Sequence, residues 1–397
     1  MAAHILGYVN ADGNGVMGME RALNAQLSDR TSRADAATLS IDSRVQAALE
    51  SELASAMAEQ EAHGAAGIVL DVETGEVLAM ASLPSFNPNK LEPGMMKNQL
   101  NDVSYSVYEL GSTFKPFTVA AALDAGTVTD LAVRYNATEP LKIGGFKISD
   151  THSQGRYLNV PEALVHSSNV VTARIADNLG IAPMQHMIRT LGFDARPHIE
   201  IAERGKPLWP QSWGRVTNMT VAYGHGIAVT PLHLASGYAA LVNGGIWRPA
   251  TLLKVAPDAA PKGRRVFKAA TSARMRQLLR MIVQSGTGRQ ADAPGFRIGG
   301  KTGSADKASN GGYNRNAIVS TFAAAFPMDN PRFVVVTMLD DPRGTAQTSF
   351  QRTAGWTSAP IVRKLVPRIG PMLGVIPDEH RDVDVSELMP LLWTPKK

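Results

Sequence analysis

Ser112-Thr113-Phe114-Lys115, within the stretch "YELGSTFKPFT", sets a hydroxyl and an amine three residues apart. On a helical turn positions i and i+3 share a face, so the Lys115 amine can reach the Ser112 oxygen. A free serine hydroxyl is a weak nucleophile, and a lysine with a pKa of about 10.4 is mostly protonated at neutral pH. Burial beside a second cation would lower that pKa and let Lys115 serve as general base for attack by Ser112. Gly111 leaves room beside the serine, and a helix N-terminus at this point favours developing negative charge. Pro116 has no N–H to return to the Ser112 carbonyl, which predicts an irregular first turn and a regular helix opening near Lys115.

The candidate second cation lies in "GFRIGGKTGS", Gly295 to Ser304, where two active sites compete for one stretch. Gly295, Gly300, Lys301 and Thr302 fill the phosphate-cradling P-loop pattern, and Lys301-Thr302-Gly303 is the K-T-G of serine acyl-transferases that open penicillin. "FVVVTMLDD", from Phe333 to Asp341, resembles the strand ending in Asp that holds Mg²⁺ beside a P-loop. A P-loop needs a helix beginning at its Lys-Thr, however. Here the breaker-rich "GSADKASNGGYNRN" follows, and Phe296-Arg297-Ile298 inside the supposed loop are strand formers. Acyl transfer gains further from "VHSSNVV", which carries Ser167-Ser168-Asn169 between a helical run opened by Pro161 and another through "VVTARIADNLG". The Ser167 hydroxyl can relay a proton to a leaving amine, and the Asn169 amide can hold a substrate carbonyl or the Lys115 amine.

With S-x-x-K, S-x-N and K-T-G in this order, the chain resembles the penicillin-binding proteins, most closely the monofunctional class B transpeptidases of the septal, cell-division type. "MASLPSFNPN", "LGSTFKPFT", "HSSNV", "YGHGIAVTPLHLASGYAALVNGG" and "GGKTGSADK" carry the likeness, and "HILGYVNADGNGVMGMERAL" is similar to the tail of the family's N-terminal pedestal. The resemblance implies a peptidoglycan cross-linking D,D-transpeptidase in which Ser112 attacks the D-Ala-D-Ala end of a stem peptide. D-Ala leaves, and an amine of a neighbouring stem peptide takes the acyl group. It implies catalytic roles for Ser112, Lys115, Ser167, Asn169 and Lys301, and an oxyanion hole on the backbone N–H groups of Ser112 and Ser304. Lys301 with Thr302 and Ser304 would bind the terminal carboxylate, with Gly303 beside them; Tyr313 reads as lining the substrate cleft or as surface. β-Lactams would acylate Ser112 as substrate mimics, and no metal or cofactor is expected. The same likeness implies a periplasmic place at the bacterial inner membrane, with an anchor helix outside this sequence. Partners would be a membrane glycosyltransferase and divisome proteins reached through the N-terminal part, with no nucleic acid.

Some residues depart from the family pattern. Leu110 stands where proline is frequent, and Ser304 where threonine is. No E-x-x-L-N segment follows the S-x-N, and Glu203 in "IAERGKP" has the wrong context to activate water, so a long-lived acyl-enzyme is expected. A serine β-lactamase or β-lactam sensor, a P-loop protein using 295–302, and an inactive scaffold stay open as alternatives.

The elements that must position these motifs follow from pattern. Asp42 is placed to cap a helix on which Val45, Leu49, Leu53 and Met57 recur. Gly67 to Val72 and Glu76 to Leu83 read as a hairpin around "ETG", ended by Pro84. A mainly helical stretch runs from about Phe114 to Gln290, and strand-like runs return at Phe296 to Ser304, Ile318 to Phe326 and Phe333 to Leu339. A last helical segment covers Ala359 to about Leu373. Five strands divided by helices predict an α+β fold with one sheet; the resemblance makes it the penicillin-binding protein and serine β-lactamase-like transpeptidase fold, its five-stranded sheet antiparallel. Residues 1–37 read as the remnant of a pedestal or linker module, and 38–397 as the transpeptidase domain with a helical subdomain inserted at about 116–290.

Composition bounds the rest. A chain of 397 residues, 44% hydrophobic and 19% charged, can bury a large core. No stretch reaches the roughly 18 apolar residues of a membrane span, and "MAAHILGYVN" lacks a signal pattern. The net charge of +5 is scattered, its densest cluster "KGRRVFK" reading as a solvated loop. The absence of cysteine excludes disulfides and thiolate chemistry. His152, His166 and His225 read as structural, Glu109 as a surface acid, Asp340 and Asp341 as a strand end, Trp356 as cleft or surface, and "PDEHRDVD" as a solvated tail.

Overall fold

The computed structural model describes residues 1–29, 31, 37–91, 98–256, 258–309 and 312–393. The main sheet consists of β1 (Gly64–Asp71), β2 (Val77–Leu83), β3 (Gly299–Ser309), β4 (Gly312–Phe326) and β5 (Phe333–Asp340). Its spatial order is β2-β1-β5-β4-β3, antiparallel throughout. The strand bearing Lys301 is therefore a sheet edge.

Both faces are covered, which is why β5 reads as a nearly continuous apolar run from Phe333 to Leu339, with Thr337 its one polar residue. Alternate residues turn to opposite sides: Val69 and Val335 join one core, whereas Ile68, Val334 and Val336 join the other. On the first face lie α1 (Ser43–Glu59) and, late in the chain, the helix Ala359–Ile369. Asp42 caps α1 by accepting from the Arg44 N–H, as its sequence position predicts. A Cβ on Gly67 would stand 2.9 Å from Leu49 Cδ1, so glycine lets α1 pack directly on the sheet there.

The second face carries the helical part: α2 (Lys115–Asp124), α3 (Val160–Val165), α4 (Asn169–Leu179), α5 (Pro231–Val242) and α6 (Ala269–Ser285), with the late helix numbered α7. Every residue of α5 is buried, so it is the axis on which this half packs. Thr230 caps it, accepting from His233 N–H, and Pro231 occupies the first turn. Among the described residues no helix is long and apolar enough to cross a membrane.

Several expectations need correction. The strand expected from Phe296 starts at Gly299, because Arg297 takes a φ of 52° while its guanidinium holds Asp329 at 2.7 Å. The stretch expected as a loop after Ser304 continues as β3 to Ser309, and β4 begins at Gly312 rather than Ile318. Hairpin pairing overrides the weak strand preference of its Gly and Asn residues there. Short two-stranded ribbons also interrupt the helical stretch, at 141–148 and between Ile246–Trp247 and Arg264–Arg265. The latter pairs part of "KGRRVFK", although both arginines stay exposed.

The first residues pack more than their polar composition predicts: Ile5 and Met19 enter the helical-side core, and Met17 clusters with Phe86. Sparse apolar side chains between turn residues suffice when the turns aim them inward. "PDEHRDVD" is no free tail either, since Asp382 pairs with the buried Arg280 at 2.7 Å.

Candidate active site

Ser112 stands in a 3₁₀ turn, Gly111–Phe114, and the regular helix α2 opens at Lys115. The Lys115 N–H closes the turn onto the Ser112 carbonyl, a bond the next residue, Pro116, is unable to make. From the central helix, Tyr238 donates to the Thr113 carbonyl at 2.9 Å and pins the turn from below. Gly111 has a φ of 54° and packs on β3, where a Cβ would lie 3.1 Å from the Ser304 carbonyl oxygen.

Lys115 is completely buried and bonds Ser112 Oγ at 2.9 Å and Ser167 Oγ at 3.0 Å, as well as the Ser167 carbonyl. Ser167 can offer both oxygens because it sits in the left-handed region, φ 60°, at the corner between α3 and α4. Ser168 secures that corner: it caps α4 by accepting from Val171 N–H at 3.1 Å and donates to Asp150 at 2.7 Å. Asp150 also accepts from Val170 N–H at 2.9 Å.

Lys301 reaches the same corner from β3. Its amine donates to Ser167 Oγ at 2.9 Å and to the Thr302 carbonyl and hydroxyl at 3.0 and 3.1 Å. Thr302 Oγ1 in turn meets Thr287 Oγ1 at 2.8 Å. Burial drives the Lys301 pKa down to about 7. Burial, reinforced by the charge of Lys301 and opposed by Asp150, holds Lys115 well below the ordinary lysine range. A neutral Lys115 amine accepts from the Ser112 hydroxyl, the polarity a general base requires.

Gly303 fits against the nucleophile's turn, for a Cβ there would stand 2.4 Å from the Leu110 carbonyl oxygen. Ser304 Oγ accepts from Ala354 N–H at 3.0 Å. The edge strand thus lies flush with the turn that carries Ser112, leaving no insertion between them. No helix follows Lys301-Thr302, which removes the P-loop reading.

Ser112, Lys115, Ser167, Lys301, Thr302, Gly303 and Ser304 therefore converge on one cleft. Asn169 does not bond Lys115; its amide donates to the Ser149 carbonyl at 2.9 Å. Tyr313 reaches the rim with its hydroxyl tied to Glu109 at 3.0 Å. Glu109 is no surface acid, for it also accepts from Gly226 N–H at 2.9 Å and pairs with His225 at 3.1 Å. Asp150, Thr287 and Tyr238 escape sequence reading, since their partners lie distant in the chain and none belongs to a local pattern.

The description "Penicillin binding protein transpeptidase domain" matches residues 65–366. The chain belongs to that family. It is similar to the probable peptidoglycan D,D-transpeptidase FtsI of Caulobacter vibrioides, 42% identical over 384 residues, covering 94% of this chain and 65% of the relative. It is similar also to the peptidoglycan D,D-transpeptidase FtsI of Escherichia coli, 30% identical, covering 98% of this chain and 69% of that protein. Among solved structures, penicillin binding protein 3 of Mycobacterium tuberculosis complexed with aztreonam superimposes with a TM-score of 0.83 at 27% identity, covering 95% and 89% of the two chains. The transpeptidase domain of Burkholderia pseudomallei penicillin-binding protein 3 gives 0.77 at 30% identity, covering 86% and 98%. The chain thus spans about two thirds of the length of these curated relatives.

Proposed function

We propose that the domain is a septal-type peptidoglycan D,D-transpeptidase working through an acyl-enzyme on Ser112, and a target of β-lactams. The observation that carries this reading is the continuous chain Ser112–Lys115–Ser167–Lys301, in which two buried amines share one hydroxyl. Neutral Lys115 takes the Ser112 proton as the oxygen attacks the carbonyl carbon of the penultimate D-Ala. The Ser112 and Ser304 backbone N–H groups receive the oxyanion. The proton then passes from Lys115 by way of Ser167 to the departing D-Ala amine as the C–N bond breaks. A second stem-peptide amine attacks the ester and gives up its proton along the same route, freeing Ser112. Lys301, Thr302 and Ser304 hold the donor's carboxylate, while Asn169 and Tyr313 border the peptide.

The names of the relatives support a role in peptidoglycan cross-linking. The further reading places the domain on the periplasmic face of the inner membrane, with a glycosyltransferase and divisome proteins as partners through the pedestal whose end is residues 1–37. Residues 38–397 then form the transpeptidase domain, its helical subdomain inserted at about 116–290.

Intact-mass spectrometry with benzylpenicillin tests the reading. One adduct per chain is expected, mapping to the peptide containing Ser112, stable for many minutes and absent in Ser112→Ala. Release within seconds would indicate a β-lactamase instead, and an adduct that persists in Ser112→Ala would defeat the assignment.

A further inference from the structure

We propose that Glu109 is a positioning residue of the acyl-donor cleft, its carboxylate latching the tip of the β3–β4 hairpin, through Tyr313, to the turn that carries Ser112. The inference rests on the acyl-serine reading and adds a residue to it.

The hairpin needs such a latch because it outruns the sheet. β5 pairs with β4 only as far as Val319 opposite Asp340, so among the described residues the arm made by 305–309 and 312–318 has just its own two strands. Its ladder is interrupted between Asn314 and Ile318. A lone two-stranded arm is marginally stable in water. Its base is held by Lys307 on Asp340 at 2.7 Å and by the Asp341 N–H on the Ile318 carbonyl at 2.8 Å. Near its tip stands Tyr313, whose hydroxyl donates to both Glu109 oxygens at 3.0 and 3.1 Å.

The other end of the latch is rigid. Tyr108 exchanges two backbone hydrogen bonds with Val229, at 2.9 and 3.0 Å, so the residue before Glu109 is clamped. The loop 223–226 closes on the same segment, since a Cβ on Gly224 would lie 2.2 Å from the Gly111 carbonyl oxygen. From that loop Gly226 N–H and His225 complete the Glu109 carboxylate, and the His225 ring meets Tyr313 and Tyr223 edge-on, with centroids at 6.0 and 5.3 Å. Only 16% of the Glu109 side chain is exposed, although Tyr313 at the rim is half exposed.

Ser304, the second expected oxyanion donor, is the last residue before this arm. Untethering the tip lets the arm swing about Ser304 and loosens the edge along which a donor peptide must lie, a loss of preorganisation. Tyr313 then contributes its ring to the cleft, its hydroxyl being engaged.

The test measures acylation by a fluorescent penicillin, together with amide hydrogen exchange of residues 305–316, in Glu109→Ala, Glu109→Gln, Tyr313→Phe and Glu109→Ala/Tyr313→Phe. The expected result is acylation slowed about 5- to 20-fold in Glu109→Ala and Tyr313→Phe, and no slower in the double variant than in the worse single one. Glu109→Gln, which keeps an acceptor for the tyrosine, regains most of the rate. Exchange speeds up in the arm but not at 299–304, and Tm moves by less than about 3 °C. Multiplicative losses in the double variant, a Gln variant as slow as Ala, or unchanged exchange in the arm would overturn the latch while leaving the acyl-enzyme reading intact. Failure of the wild-type protein to take any penicillin on Ser112 would overturn both.

Discussion

Lys115 and Lys301 bond the same oxygen, Ser167 Oγ, from opposite walls of the cleft at 3.0 and 2.9 Å. Two buried amines at this spacing do not both hold a proton comfortably, and the charge of Lys301 adds to burial in lowering the Lys115 pKa. In the proposed mechanism the neutral member is the base beside Ser112 and the charged member attracts an anionic substrate.

A bell-shaped pH profile follows for acylation by a carboxylate-bearing β-lactam. Protonation of Lys115 removes the base as pH falls through its lowered pKa, and Lys301 gives up its charge above about 7. Each limb approaches about tenfold per pH unit. The same β-lactam with its carboxylate esterified should keep the acid limb and lose the alkaline one. Equal alkaline limbs for both compounds would mean that Lys301 does not act through its charge.

Lys115→Met is expected to slow acylation by about 10³-fold, within the range of a general base. Its stability should change with pH in a definite direction. The folded pKa of Lys115 is depressed, so the unfolded chain binds the extra proton between that value and the ordinary value of about 10.4. Wild-type stability therefore rises with pH across this window, and the burial penalty is complete below the folded pKa. Relative to Lys115→Met, the wild type should gain stability in denaturant titrations as pH rises from its lowered folded pKa toward the ordinary value of about 10.4, by at most about 1.4 kcal/mol per pH unit. A constant difference would show that the amine is not desolvated.

Ser167→Ala removes the hydroxyl the two amines share but leaves the carbonyl that also holds Lys115. Acylation should fall about 10²-fold, with the Ser112 adduct still forming after long incubation. A variant with wild-type rates would remove Ser167 from the proton path.

Gly303→Ala tests the seam between edge strand and nucleophile turn. Its methyl group would stand 2.4 Å from the Leu110 carbonyl oxygen and 2.7 Å from Thr113 Cγ2, both inside contact distance. The strand must back away, at a cost of about 1 to 3 kcal/mol in stability and about 10²-fold or more in acylation. Thermal denaturation and adduct formation together check this; unchanged acylation would show that the seam can open harmlessly.

Much of this molecule was legible locally. The α1 cap at Asp42, the hairpin of β1 and β2, the apolar run of β5 and the late helix α7 all express short-range patterns that burial reinforces. The misread stretches share a cause. Residues 305–309 and 312–317 are mostly poor strand formers, and only pairing across the hairpin makes them extended. Glu109 looks like any surface acid until Tyr313, His225 and Gly226 arrive from elsewhere in the chain.

The sequence alone determined that the Ser112 hydroxyl and the Lys115 amine meet, because they are three residues apart and a single turn brings them together whatever surrounds it. It also determined the irregular start of α2, since Pro116 lacks the N–H a regular turn would use. Only the tertiary structure decided that Lys115 is buried with the lowered pKa the proposed base requires. Its lowered pKa comes from burial under the helical half and from Lys301, brought to Ser167 by the sheet edge across 134 residues of chain. Desolvation and charge proximity are properties of the packed interior, and no local pattern contains them.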